Sequence, residues 1–427
     1  MPEPEAELGK YVLVLRFLLV ITIQMLTQNQ TFARQICKYW PEYHSSAFGN
    51  LWVFGPHYRV KELDFRCNAK KDALDFVLEK SGCTLPRLLT TLEDIEEEAR
   101  STYADDTLND LQRVKFLEMM AMDGCFFLLL AFSILGVGST GTEVGFPEKH
   151  LVFGIGCVRE EIDLWIRSMF FVGNQIPLIV LEEIMKLRFF QELKTEKQWN
   201  QPLDFVKRAL YNLLIAEHQP KSIDLIHCLQ STFLGRKSGL HVTVPIMDTD
   251  ASDAIEGIPS ATDLFNLGVK FEKLEGELGI RGIHYTYSAF NHVLYLPVFK
   301  VDRYTELIVK CLYKYEIVQA SRGIVPDVSP YFKVFSELLR TPKDVELLTS
   351  QGVIQGQLEG LRRLLSSYDG MEPSEHVRHV RREIRKHPPP DWQMCIKFLL
   401  KLIALIAAIL TLIFCFPASS SLLGCNK

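Results

Sequence analysis

The side chains of this chain that could move protons, bind metals or attack a carbonyl are its carboxylates, histidines and cysteines. Their spacing argues against each role. Glu93, Asp94, Glu96, Glu97 and Glu98 crowd one stretch with helical periodicity, the pattern of a solvated face. Asp105-Asp106 and Glu182-Glu183 are neighbours in sequence, so on a helix they point apart rather than facing each other as an acid/base pair. Met247-Asp248-Thr249-Asp250 opens like a calcium loop. Asp253 then stands where the sharp turn needs glycine, and Pro259 where a bidentate glutamate belongs. Gly136 to Gly145 is glycine-rich but lacks the GxxxxGK[ST] order and follows a helix, which excludes a phosphate cradle. None of the ten cysteines forms a CxxC pair, and most sit in apolar surroundings. That usage fits a reducing compartment with cysteines packed as small hydrophobes and no zinc site. His284 and His292 read as packed or surface histidines on strands. No nucleophile elbow, HExxH, Rossmann fingerprint or kinase set is present. The sequence therefore presents no catalytic signature, no metal and no cofactor.

The elements that would position such residues are mostly helices. Apolar residues recur at three- and four-residue spacing over Ala69–Lys80, Leu85–Arg100, Leu108–Leu135, Val158–Phe171, Pro177–Phe190, Pro202–Ala216 and Ile223–Leu229. The pattern resumes over Tyr304–Gln319, Ser329–Leu339, Pro342–Leu348 and Leu358–Leu365. Between them, Val269–Leu274, Ile280–Tyr287 and His292–Phe299 alternate and are rich in Val, Ile, Tyr and Phe, which predicts a small antiparallel sheet over about 268–299. The expected fold is mainly α, a multi-helix globular domain with that sheet and a C-terminal transmembrane helix. Hydrophobic residues make up 48% and aromatics 11%, enough for a large core, and the net charge of -5 argues against nucleic acid as a partner.

The C-terminus carries the clearest physical signal. Phe398 to Phe416 reads FLLKLIALIAAILTLIFCF, nineteen residues interrupted only by Lys401. About 20 apolar residues at 1.5 Å rise cross the ~30 Å hydrocarbon core of a bilayer. Upstream lie Arg378, Arg381, Arg382, Arg385, Lys386, Lys397 and Lys401, whereas the tail beyond Phe416 holds only Lys427. The positive-inside rule then leaves the body cytoplasmic, with a single-pass C-terminal anchor in the plasma membrane or an endomembrane. The basic run could also touch anionic headgroups. Cys395, at the boundary, is a palmitoylation candidate. Tyr11–Met25 is also apolar, but acidic residues precede it and it is short for a span, so it reads as a buried or interfacial helix. Five regions follow: 1–34, an N-terminal segment with that apolar helix; 35–387, one helical domain; 388–397, a linker opening on Pro388-Pro389-Pro390; 398–416, the anchor; and 417–427, a short tail.

Several ordered blocks resemble the plant family known as domain of unknown function 247. They are Val53-Phe54-Gly55-Pro56-His57-Tyr58-Arg59; Met122-Asp123-Gly124-Cys125-Phe126; Gly173-Asn174-Gln175-Ile176-Pro177 leading to Val180-Leu181-Glu182; and Ser260-Ala261-Thr262-Asp263-Leu264 with Gly268-Val269-Lys270-Phe271. Tyr315-Glu316, Asp344-Val345 and Gly352-Val353-Ile354 follow. The resemblance runs from about Ile36 to Phe416. It departs at His57, Tyr58 and Arg59, where the family has a tyrosine and paired histidines, and at Gly173 and Ser168, where it has acidic residues. Two readings of the blocks stand side by side. Asp123, Asn174, Gln175 and Lys270 line one pocket, or they specify the fold, with Asn174 and Gln175 capping the helix that Pro177 opens. The resemblance implies a membrane-anchored, non-catalytic recognition or signalling module with a protein partner, of the kind implicated in self-incompatibility. The alternative is a membrane-tethered hydrolase or transferase with a dispersed active site.

Overall fold

A 23-residue helix that is apolar on every side must be buried on every side. Arg113–Leu135 is that helix beyond its charged, exposed first turns, and 89% of its apolar window is buried inside the fold. The computed structural model describes residues 51–58, 64–103, 108, 111–136, 146, 150, 152–154, 157–195, 205–215, 222–235, 257–274, 279–288, 291–326, 328–356, 360, 364–365, 375–388 and 400–410. Around the central helix, here α4, pack α1 (Asp64–Ser81), α2 (Leu85–Glu93), α5 (Cys157–Met169), α6 (Leu178–Met185) and α8 (Phe205–Leu214). The remaining helices of this half are α3 (Glu96–Ser101), α7 (Arg188–Thr195) and α9 (Leu225–Leu234). Gly124 lets α4 and α6 approach closely: a Cβ there would lie 2.4 Å from Ile184 Cδ1. Aromatic pairs such as Trp52–Phe126, Phe54–Phe127 and Phe132–Phe190 fill the space between these elements.

The second half begins with α10 (Ala261–Asn266) and the strands β1 (Val269–Lys273), β2 (His284–Tyr287), β3 (His292–Leu296) and β4 (Phe299–Val301). It continues through α11 (Thr305–Ala320), α12 (Ser329–Leu338), α13 (Pro342–Ser350), β5 (Ile354–Gly356) and α14 (Glu375–Lys386). Helix α10 closes on Gly268, which takes φ +102°, the left-handed terminus that glycine allows.

The molecule is mainly helical, as the periodicity predicts, but the sheet differs from the expected antiparallel one. Its order is β1-β3-β2, with β2 antiparallel and β1 parallel to the central β3. The tight turn closed by Ser288 N–H on Asn291 O forces the antiparallel pair. Residue alternation is the same in both senses, so it carries no information about the direction of β1. Ile280–Gly282 forms a single 3₁₀ turn instead of a strand start, and β4 leaves the sheet to pair in parallel with β5. Two predicted helices are also broken. The 85–100 stretch splits at Asp94–Ile95, where Ile95 N–H turns onto Leu92 O; Glu96, opening the next helix, pairs with Arg100 at 2.8 Å and Arg113 at 2.5 Å, and the rest of the acidic cluster faces outward. The 177–190 stretch divides between Met185 and Arg188.

The basic run from Arg378 to Lys386 lies in a docked helix. This helix is α14, which buries Val377, Val380 and Ile384 against β2 and α12. Arg381 is buried with them, 2.6 Å from Glu337. Beyond it, α15 (Leu400–Leu410) is described over eleven residues, fewer than a span needs. The other residues of 398–416, and Tyr11–Met25, lie outside the described residues. Among those described, the one helix long and apolar enough to cross a membrane is α4, the core helix.

Candidate functional site

Trp52, Val53 and Phe54 are large and apolar, and they lie buried in the interior outside any helix or strand. Buried peptide groups outside a sheet must find partners elsewhere. Here side chains supply them. Asn174 acts as a neighbouring strand would: its Oδ1 accepts from Phe54 N–H at 2.7 Å and its Nδ2 donates to Trp52 O at 2.8 Å. Ser168 Oγ accepts from Trp52 N–H at 3.0 Å and Asp123 Oδ2 from Gly55 N–H at 2.9 Å. Lys70 Nζ donates to Val53 O, and Arg66 Nη1 donates to Leu51 O at 2.7 Å. Gly55 sits at φ +66°, and a Cβ would meet Gln175 O and the Tyr103 hydroxyl at 2.8 Å.

The helices place these groups. Lys70 of α1 and Asp123 of α4 meet at 2.9 Å, both 0% exposed. Such a pair is tolerable only with further hydrogen bonds on each ion, which Val53 O and Gly55 N–H provide. Asn174 Nδ2 also reaches Ser168 O at 2.8 Å. Gln175 Nε2 donates to Met169 O at 2.6 Å and Phe171 O at 3.0 Å. These are carbonyls at and just beyond the end of α5, so the two amides close the helix behind them rather than cap α6 ahead. That corrects the expected capping role. Tyr103 donates to Gln175 O at 3.0 Å, and burial, with Asp123 and Asp224 adding to it, holds its phenol well above the usual range. Asp224 caps α9 by accepting from His227 N–H at 2.8 Å, and burial pushes its carboxyl up to about 6.

The structure thus brings Asp123, Asn174 and Gln175 together and leaves Lys270 apart, exposed on β1 with its Nζ 3.2 Å from Asn291 Oδ1. Lys70, Ser168 and Tyr103 belong to the cluster and escaped the sequence reading as members. A signal for Lys70 existed: it precedes Leu74 by four residues and Val77 by seven, on the stripe α1 buries. Chemically, these groups hold backbone. Lys70 Nζ and Asp123 are sealed from solvent and bonded to the chain itself.

The family described as a plant protein of unknown function, DUF247, matches residues 50–414. The chain belongs to this family. A UPF0481 protein of Arabidopsis thaliana is 28% identical over 141 residues, covering 32% of this chain and 26% of that relative's own length. The similarity thus reaches only about a quarter of that protein. No solved structure matches the chain.

The DUF247 blocks are partners in space. The first is laced to the second by Asp123 and to the third by Asn174. Asp344 joins two later blocks: its Oδ1 accepts from Thr262 N–H at 2.7 Å, while Oδ2 accepts from Thr341 N–H at 2.6 Å and completes a capping box on α13. Burial works against its charge, but the bonds from Thr262 and Thr341 prevail and lower its pKa. Glu316 does the same for α12. Its Oε1 accepts from Val328 N–H and Gln230 Nε2, both at 2.7 Å, and its Oε2 from Ser329 N–H at 2.7 Å and Ser329 Oγ at 2.5 Å.

Proposed function

We propose that this DUF247 protein is a non-catalytic recognition module, held on the cytoplasmic face of a membrane by one C-terminal helix over Phe398–Phe416. The observation that carries the proposal is α15. Leu400, Leu402, Ile403, Leu405, Ile406, Ile409 and Leu410 are 42–60% exposed, around all sides of the helix. In water such a surface is a liability; in lipid it is the expected one. The apolar sequence continues without a charge to Phe416. The lattice around Asp123 supports the non-catalytic half of the reading, because its ionised groups are consumed by backbone. The partner is another protein, and cell–cell recognition such as self-incompatibility is the setting that the family resemblance suggests.

Proximity labelling from the native membrane, with the full chain and with Phe398–Phe416 deleted, tests this. The full chain should mark a specific set of neighbours that the truncation loses. Recovery of the same neighbours by the soluble truncation contradicts a role that depends on tethering.

A further inference from the structure

Histidines fasten helix α14 to the sheet at both of its ends. Val377, Val380 and Ile384 give the helix an apolar seat against β2 and α12. In its first turn His376 Nε2 bonds Ile283 O, 2.7 Å away, just ahead of β2. Past its last turn His387 O accepts from the Tyr285 hydroxyl of β2 at 3.0 Å. The same hydroxyl lies 2.8 Å from Nδ1 of His292, a buried residue of β3. The Tyr287 ring stacks on the His387 ring, with centroids 3.7 Å apart. Nearby, the His284 ring stacks on Tyr295.

The surroundings of these imidazoles disfavour a proton. Burial lowers the pKa of His376 against the pull of its bond to Ile283 O, and His379, His284 and Arg281 add to the lowering. Burial lowers that of His292 too, with His387 adding to it. On the α12 side His376 faces the Tyr331 ring at 6.1 Å. Of the carboxylates nearby, Glu337 is paired with Arg381, Glu375 lies 3.7 Å from Arg378, and Glu383 lies 3.9 Å from His387. A histidine released into water returns to a pKa of about 6.5. Docking is therefore at full strength above about pH 6.5 and weakens as pH falls below it, because the released helix binds the protons more readily. We infer that the seam between β2 and α14 is a pH-operated clasp, which protonation of His376 and His292 opens to free α14 from the body. Opening adds the 12 residues of α14 to the chain between the body and α15. The clasp itself does not depend on the anchor; its consequence, a longer reach from the membrane, rests on the tethered reading above.

Amide hydrogen exchange of the full chain in detergent micelles tests the clasp, read by mass spectrometry across the acid range and corrected for the intrinsic pH dependence of exchange. Protection of α14 should fall several-fold, with a midpoint below about pH 6.5 and above the carboxylate range of about 4, while α12 keeps its protection. Asp224 contributes more as pH falls through the same window, so general acid unfolding would not single out α14. His376→Gln with His292→Asn keeps an N–H at each contact without a titrating charge, and should flatten the response. Constant protection of α14, a midpoint in the carboxylate range, or a loss shared equally by α12 overturns the inference. So does an undiminished response in the double variant with α14 docked at neutral pH. Where that variant does not dock, the midpoint of the unaltered chain decides. None of these readouts involves a bilayer, so their failure leaves the anchor to its own test.

Discussion

Lys70 and Asp123 are each sealed from water and each bonded to the Trp52–Gly55 backbone, so neither can lose the other cheaply. Asp123→Asn keeps an acceptor for Gly55 N–H but strands a buried ammonium, and should cost about 3–5 kcal/mol of unfolding free energy. Adding Lys70→Met should recover part of that loss; denaturant titration of the single and double variants measures both. Non-additivity is the signature, and a double variant as damaged as the sum of the singles would argue against a coupled pair. Gly55→Ala should cost ~1–3 kcal/mol or more, since φ is positive and the new methyl meets Gln175 O. Asp224 adds a pH dependence. Its carboxyl is raised from 3.8 to about 6, so its contribution is fully present below about pH 4 and lost as pH rises through 6. Asp224→Asn retains the cap and removes the charge. Its stability relative to wild type should grow across that window by up to about 3 kcal/mol and then level, a difference a constant offset at all pH values would exclude. At this scale the sequence was half legible. Asp123 interrupting an apolar run demands a partner, and Asn174 and Gln175 before Pro177 mark a special turn, but a buried lysine among Lys70-Lys71-Asp72 looks like surface until its register with Leu74 and Val77 is followed.

Helices behaved as their periodicity implies because a buried stripe repeats every turn, and α1, α4, α11 and α12 fall within a few residues of the expected bounds. What periodicity does not encode is the choice made by tertiary partners. A turn at Asp94–Ile95, with Ile95 N–H on Leu92 O, divides one predicted helix, and a strand's alternation is silent about whether its neighbour runs with or against it. Charge also hid α14, whose arginines dominate the sequence while Val377, Val380 and Ile384 dock it. Glu316 is the element-scale test. It accepts hydrogen bonds from Val328, Ser329 and Gln230 and closes the buried start of α12. Glu316→Gln leaves one oxygen where two accept, and should cost about 1–3 kcal/mol. Amide exchange should rise first at Val328 and Ser329. Uniform acceleration across α4 and α12 alike would mean that Glu316 supports the whole core and not this helix start.

Across the whole molecule, the described body is a helical domain whose family blocks lace its early and late segments together, followed by a docked basic helix and an exposed apolar one. The body explains why the chain folds; the proposed tether rests on the last helix. Alkaline carbonate extraction of membranes from cells making the full chain, beside the chain lacking Phe398–Phe416, separates the two most directly. The tethered account predicts that the full chain stays in the pellet and the truncated chain moves to the supernatant. Release of the full chain by alkali, or retention of both, contradicts it.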